Sequence, residues 1–146
     1  MKLMYNTDIF KSKCEAIVNP VNTVGVMGGG LALEFKKKFP KVYEAYKQKC
    51  ADGFDVNELF TCESEINGCG VFVVNFPTKK HWRNPSQLNW IKDNLIELRD
   101  LCIEWEISSV AIPKLGCGLG GLDWNDVKPL IIKTFENVDI TVVLFE

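Results

Sequence analysis

Two glycine-rich loops, residues 22–30 and 114–122, constrain this sequence more than any other feature. Each follows a short apolar run and precedes a segment with helical spacing. Glycines permit positive φ and let backbone N–H groups approach an oxyanion, and a helix N-terminus adds partial positive charge. The first loop has neither the ending of a nucleoside-triphosphate P-loop nor the Rossmann glycine spacing. A turn that needs glycine only for its backbone is the alternative for either loop alone. Together the loops favour a site for a diphosphate with a sugar on either side.

The apolar runs alternate with helical segments along the chain. Strands are predicted at residues 2–6, 16–21, 59–62, 70–76, 109–113 and 140–145. Helices are predicted at residues 30–39, at 42–49, within 86–106 and from the N-cap candidate Asp123 onward, with a surface connection at 51–57. This order predicts an α/β fold: a three-layer α/β/α sandwich around a mixed, largely parallel sheet of about six strands. We expect one domain over residues 1–146.

Composition and charge exclude several classes of protein. A net charge of −2 argues against a protein that coats nucleic acid through many phosphate contacts, so any such contact is expected to be local. Six cysteines without a C-x-x-C pair are expected to be free thiols, and with one histidine we expect no metal site. The sequence has no secretory signal and no apolar run of bilayer length, which predicts a cytoplasmic protein without membrane association.

A basic and aromatic stretch follows the predicted strand 70–76. It contains Lys79, Lys80, His81, Trp82 and Arg83. Ligands of α/β proteins bind beyond the carboxyl ends of strands, and Lys, Arg and Trp suit phosphate contact and base stacking. His81 is a candidate proton donor or acceptor. A solvated surface, with His81 as a structural hydrogen-bonding residue, is the alternative.

Four segments in order carry a resemblance to a known family: Asp8-Ile9, residues 22–28, residues 75–83 and residues 116–124. Together they resemble the macrodomain of the DarG family, antitoxins that remove ADP-ribose from DNA bases modified by the toxin DarT. The resemblance implies a macrodomain fold and an ADP-ribosyl glycohydrolase acting on DNA, with thymidine as the modified base. It also implies ADP-ribose, ADP-ribosylated single-stranded DNA and a DarT-type toxin as partners. We expect a monomer that needs no cofactor.

The resemblance assigns roles to matching positions. Asp8 is implied to accept from the adenine amino group, with the Ile9 backbone beside it, and Asn22 to hold the distal ribose. The full set of implied ADP-ribose contacts is Asp8, Ile9, Asn22, Val26, Met27, Gly28, Gly29, Gly30, Thr78, Gly116, Cys117, Gly118, Leu119, Gly120 and Gly121. Lys79 is the implied catalytic lysine, with His81 as its candidate proton-transfer partner, and Lys80, Trp82 and Arg83 are the predicted DNA contacts. Cys117 is expected to be an inert small residue rather than a nucleophile.

The chemical role of Lys79 stays open at this point. A related branch, the terminal ADP-ribose glycohydrolases, is thought to use a lysine nucleophile with an acid in the second glycine loop, but residues 119–121 hold no carboxylate. Lys79 would attack as a neutral amine, or stay protonated and stabilise charge as the glycosidic bond breaks. Two other functions are kept as alternatives: a reader that binds ADP-ribose without turnover, and a hydrolase of ADP-ribose-1″-phosphate or of ADP-ribose esters on protein.

Overall fold

The computed structural model describes residues 1–145 and contains one six-stranded sheet in the order β1-β6-β5-β2-β4-β3. The strands are β1 Lys2–Asn6, β2 Ala16–Asn22, β3 Phe60–Ile66, β4 Cys69–Lys79, β5 Ser109–Ile112 and β6 Thr141–Phe145. The helices are α1 Gly30–Lys38, α2 Pro40–Gly53, α3 Leu88–Glu104 and α4 Trp124–Phe135. Neighbouring strands run parallel except for the antiparallel pair β3 and β4. The predicted mixed, largely parallel sheet is confirmed.

Helices cover both faces of the sheet. Alternate residues of a strand point to opposite faces, and in β2 Ala16 and Val18 pack with α3 and α4, whereas Ile17 packs with Phe35 of α1. The α4 residues Val127, Ile131 and Phe135 recur every four positions and are all fully buried. Burying one such side chain contributes about 1.5–3 kcal/mol. The predicted three-layer α/β/α sandwich is therefore confirmed, and within residues 1–145 no helix is long and apolar enough to cross a membrane.

The second helix is longer than the sequence predicts. Pro40 begins α2 instead of only ending α1, because the first turn of a helix needs no N–H from that residue. The helix continues to Gly53, and Phe54 and Val56 beyond it are buried. Phe54 packs edge-on against Tyr46, with ring centroids 6.4 Å apart. The prediction of a surface connection at 51–57 is therefore wrong for much of this segment: its first three residues belong to α2, and Phe54 and Val56 are buried in the core.

Strand β4 also extends beyond its prediction. It runs to Lys79 because β2 continues to Asn22 and offers a pairing partner. Val21 pairs with Pro77 and Asn22 pairs with Lys79, so a register shift leaves Thr78 as the extra residue. The expectation that residues 77–79 lie beyond the strand is wrong. This pairing brings Lys79 and the start of the first glycine loop together.

Candidate functional site

Two cavities open beside α1, at the edge of the sheet where the parallel strands end. The larger has a volume of about 420 Å³ and the smaller about 320 Å³. Ala32 of α1 lines the larger and Leu31 lines the smaller, so the two flank one helix. This is the edge at which α/β proteins bind ligands.

The larger cavity collects predicted residues from three separate segments. The first loop, the end of β4 with the adjoining stretch, and the second loop all contribute. The predicted residues that line it are Asn22, Val26, Gly28, Gly29, Thr78, Lys79, Trp82 and Leu119. Sequence reasoning missed Pro20, Val21 and Ala32 in this lining. Pro20 and Val21 directly precede Asn22 in the same strand, which is the signal that could have found them.

The smaller cavity contains the predicted Asp8 and Ile9. Asp8 Oδ1 accepts a hydrogen bond from the Phe10 N–H at 3.0 Å and so caps the short 3₁₀ turn Ile9–Lys11. A carboxylate has further lone pairs on both oxygens, so this bond leaves Asp8 able to accept from an amino group. The other lining residues, which the sequence did not indicate, are Thr7, Phe10, Leu31, Glu34, Pro113 and Phe145.

Asn22 determines the shape of the first loop. Its Nδ2 donates to the Val26 carbonyl at 2.7 Å, and its Oδ1 accepts from the N–H groups of Val24 and Val26 at 3.1 and 3.3 Å. The Tyr46 hydroxyl of α2 donates to the same Oδ1 and is also 2.8 Å from the Asn22 carbonyl. An amide NH₂ carries two hydrogens, so one remains with which Asn22 would meet a ribose hydroxyl. The implied sugar contact of Asn22 stays a prediction, now limited to that one donor.

Tyr46 is a site residue that the sequence did not reveal. It is fully buried, and burial raises the pKa of its phenol, so the hydroxyl stays protonated and remains a donor at physiological pH. Nothing in the apolar spacing of α2 separates Tyr46 from an ordinary core tyrosine. Its role depends on the hydrogen bond to Asn22, which lies 24 positions away in the sequence.

Replacing Tyr46 by phenylalanine is expected to weaken the first loop. The change removes a buried donor from Asn22, which should cost about 1–3 kcal/mol of unfolding free energy. ADP-ribose affinity should fall as well, because the loop loses its anchor. Urea unfolding and calorimetric titration measure the two effects. Tyr43→Phe, at a half-buried tyrosine on the same helix, is the matched control. An equal loss in both variants would contradict the anchoring role.

Lys79 projects into the larger cavity, whereas Lys80 is held elsewhere. Lys79 Nζ donates to the Trp82 carbonyl at 3.3 Å. The ammonium of Lys80 lies 5.6 Å from the centre of the Trp90 ring, and the Lys80 carbonyl accepts from the Thr23 hydroxyl at 3.0 Å. In the described part of the chain, Lys79 is the one charged residue lining this cavity, and no carboxylate shares the lining.

His81, Trp82 and Arg83 form a stacked group beside the cavity. The His81 and Trp82 rings are 5.2 Å apart at 29°, and the Arg83 guanidinium lies 4.4 Å from the Trp82 centroid. His81 Nδ1 accepts a hydrogen bond from the Arg83 N–H at 3.1 Å. With that lone pair occupied, Nε2 is the atom through which His81 would exchange a proton with a substrate. Its catalytic role stays a prediction.

The second glycine loop is closely packed at two positions. Gly116 has φ +72°, and a Cβ there would lie 2.6 Å from Leu122 Cδ1. A Cβ on Gly120 would lie 2.5 Å from Ser86 Oγ and 3.7 Å from Lys79 Cε. Ser86 is buried, its N–H donates to the Gly120 carbonyl at 2.9 Å, and its hydroxyl has no hydrogen-bond partner within the described residues. The loop, Ser86 and the Lys79 side chain therefore meet at Gly120.

Cys117 behaves as a structural thiol. Burial, with a contribution from Asp123, raises its pKa, although Lys114 opposes this. Its Sγ lies 3.6 Å from the Leu115 carbonyl. A thiol with a raised pKa is a poor nucleophile at neutral pH.

Substituting Cys117 by alanine is expected to change turnover by less than about threefold, because truncating a partly buried thiol removes little packing and no reacting group. Steady-state kinetics on ADP-ribosylated substrate measure this. Treatment with iodoacetamide should modify the exposed Cys69 before Cys117. Inactivation that follows modification of Cys117 would contradict the structural role.

Comparison with known proteins gives consistent results. The sequence model of the Macro domain family matches residues 18–131. The DNA ADP-ribosyl glycohydrolase of Mycobacterium tuberculosis is 41% identical to this chain. The match covers 94% of this chain but only 40% of the length of that relative. The solved macrodomain of M. tuberculosis DarG matches with a TM-score of 0.93 at 41% identity, covering 98% of this chain and 96% of that one.

A structure of Thermosipho africanus DarTG in complex with ADP-ribose matches at a TM-score of 0.89 and 33% identity, covering 99% of this chain and 41% of that one. The family model, the paired glycine loops and the six-stranded sheet with helices on both faces agree. The chain therefore belongs to the macrodomain family, and both its sequence and its fold are similar to those of the DarG macrodomains.

Proposed function

We propose that this macrodomain is an ADP-ribosyl glycohydrolase that removes ADP-ribose from a modified base, the thymine of a thymidine, in single-stranded DNA. The observation that carries the proposal is the placement of Lys79, which lines the larger cavity opposite Asn22 and between the two glycine loops. The DNA ADP-ribosyl glycohydrolase of M. tuberculosis, similar over 94% of this chain, supports the same activity. We further propose that the reaction takes place in the cytoplasm, in a monomeric domain, with a DarT-type toxin as the source of the modified base.

The proposed ligand lies along both cavities. Adenine occupies the smaller one, where Asp8 accepts from its amino group, and the distal ribose occupies the larger one, close to Asn22 and Lys79. The diphosphate between them meets the glycines before α1, where exposed N–H groups and the helix N-terminus favour negative charge. Because both cavities flank α1, one extended ligand can contact both of them.

In the proposed reaction water adds to the anomeric carbon of the distal ribose as its bond to the base nitrogen breaks. One hydrogen of the water remains on the new ribose hydroxyl and the other replaces ADP-ribose on the base. Because no carboxylate among residues 1–145 lines the cavity, Lys79 is the charged group that would act at the breaking bond. A protonated Lys79 would stabilise negative charge developing on the departing base, whereas a neutral Lys79 would attack the anomeric carbon first.

Residues beside the larger cavity provide the proposed DNA contacts. Trp82 packs with His81 and Arg83 but stays 46% exposed, and this uncovered part of the indole is available to a base. Arg83 beside Trp82, and Lys80 over Trp90, offer positive charge to phosphates. The protein as a whole is acidic, so we expect binding to be local to the modified nucleotide.

Three substrates test the proposed function: an ADP-ribosylated single-stranded oligonucleotide, ADP-ribosylated protein and ADP-ribose-1″-phosphate. The expected result is release of ADP-ribose from the oligonucleotide, with kcat/KM well above that for the other two. Binding of ADP-ribose without turnover of any substrate would identify a reader instead. Preferential cleavage of ADP-ribose-1″-phosphate or of ADP-ribosylated protein would identify a different hydrolase.

A further inference from the structure

We propose that Val26, Trp82 and Leu119 form an apolar collar that holds the base from which ADP-ribose is removed. The inference rests on the proposed function and deepens it, because it assigns a binding site to the leaving group. Each of the three residues lines the larger cavity and is exposed, by 40%, 46% and 87% respectively.

The collar is built from three segments that are far apart in sequence. Val26 lies in the first loop, Trp82 follows β4 and Leu119 is at the tip of the second loop. Gly118 and Gly121 on either side of that tip have φ of +66° and +80°, which is the backbone that projects Leu119 outward. Single exposed apolar residues are common, but three that converge on one cavity mark a surface that becomes covered on binding.

The collar adjoins the reacting group. Trp82 accepts the hydrogen bond from Lys79 Nζ through its carbonyl. Gly120, which follows Leu119, has the Lys79 side chain 3.7 Å from the point where its Cβ would be. These contacts bring Lys79 next to the chain segments that carry Trp82 and Leu119, so a group bonded to the distal ribose near Lys79 would reach the collar.

The chemistry of the collar matches a nucleobase. A base has two apolar faces that can contact an indole and a leucine, whereas a phosphate leaving group gains nothing from them. Arg83 directly follows Trp82 and Lys80 lies two residues before it, so both would meet phosphates close to that base. Carboxylates, which would repel those phosphates, are missing from the cavity lining among residues 1–145.

The collar is consistent with the single-stranded DNA of the proposed function, because it would not reach the faces of a base that stays in a duplex. A paired base is covered by its neighbours above and below and cannot offer its faces to side chains. Contact with both Trp82 and Leu119 requires the base to leave the stack. Single-stranded DNA meets this requirement without the unpairing and unstacking that a duplex would need.

Leu119→Ser tests the collar, with Leu119→Met as the conservative variant and Ile103→Ser on α3 as a control at another exposed apolar residue. Because Leu119 is exposed, we expect the fold to tolerate the change, which a thermal melt checks. The expected result is a fall of about tenfold in kcat/KM on ADP-ribosylated single-stranded oligonucleotide, a size typical of one lost apolar contact to a substrate. The affinity for free ADP-ribose should fall by a clearly smaller factor. Leu119→Met should recover most of the loss.

The same oligonucleotide annealed to its complement should be cleaved at least about tenfold more slowly by the wild type, since the base must first be unstacked. Equal losses of oligonucleotide turnover and of ADP-ribose affinity in Leu119→Ser would overturn the collar, because Leu119 would then contact ADP-ribose itself. Equal rates on duplex and single strand would contradict the single-stranded DNA of the proposed function. A wild type that cleaves no oligonucleotide would overturn the proposed function and the collar with it.

Discussion

Replacing Lys79 by alanine is expected to lower turnover of ADP-ribosylated DNA by about 10²–10⁴-fold, the range found when a proton-transfer or charge-stabilising group is removed. ADP-ribose affinity should change far less, because both glycine loops remain. Single-turnover kinetics and calorimetric titration separate the two effects. Lys80→Ala is the comparison: its ammonium lies over Trp90 and outside the cavity lining, so losing this proposed phosphate contact should weaken DNA binding and leave the single-turnover rate at saturating DNA nearly unchanged. Equal losses at Lys79 and Lys80 would remove the special role of Lys79.

Lys79→Arg then distinguishes the two chemical roles. Arginine keeps the positive charge but is not a nucleophile at neutral pH, so a stabilising role predicts partial activity and a nucleophilic role predicts none. Sodium borohydride adds an independent measurement. It would trap a covalent adduct between Lys79 and an opened ribose, detectable by mass spectrometry as ADP-ribose attached to the protein. Trapping in the wild type together with an inactive Lys79→Arg would establish the nucleophile.

Gly120→Ala is expected to disturb the second loop next to Lys79. Its φ is unexceptional, so the effect comes from contact: the new Cβ would lie 2.5 Å from Ser86 Oγ and 3.3 Å from Ser86 Cβ. Overpacking of this kind costs about 1–3 kcal/mol, and either the loop or Ser86 has to move, close to the Lys79 side chain, to relieve it. We expect a lower melting temperature and a loss of turnover of at least about tenfold.

Gly70→Ala provides the control, because the Cβ it would add has no atom within 4 Å in the described part of the chain beyond the neighbouring residues 69 and 71. The double variant Ser86→Gly with Gly120→Ala should recover stability and turnover, because it removes the colliding side chain. Damage that is undiminished in the double variant would show that Gly120 is needed for another reason.

Local features of the sequence were enough to predict much of this fold. The spacing of Val127, Ile131 and Phe135 fixes one face of α4, and the glycines of both loops report a local backbone requirement. These signals depend only on neighbours in the chain, so they can be interpreted before the structure is available. The layers and the position of the loops follow from them.

The parts of the site that were missed depend on contacts between distant segments. Tyr46 and Ser86 resemble ordinary helix and loop residues until α2 meets Asn22 and the second loop meets Ser86. The sequence pattern by itself also could not separate Lys79 from Lys80; only the resemblance favoured Lys79. Side chains alternate along a strand, but that rule could not be applied to these two lysines while β4 was expected to end before them.

The two cavities beside α1 share no lining residue. Both use α1, but the larger adds the end of β4, Trp82 and Leu119, whereas the smaller adds residues 7–10, Pro113 and Phe145 of β6. In the proposed binding mode, recognition of adenine and choice of the leaving group can therefore diverge independently in evolution. On that proposal, a substitution at Trp82 or Leu119 would redirect the domain to another linkage without a change at the adenine end.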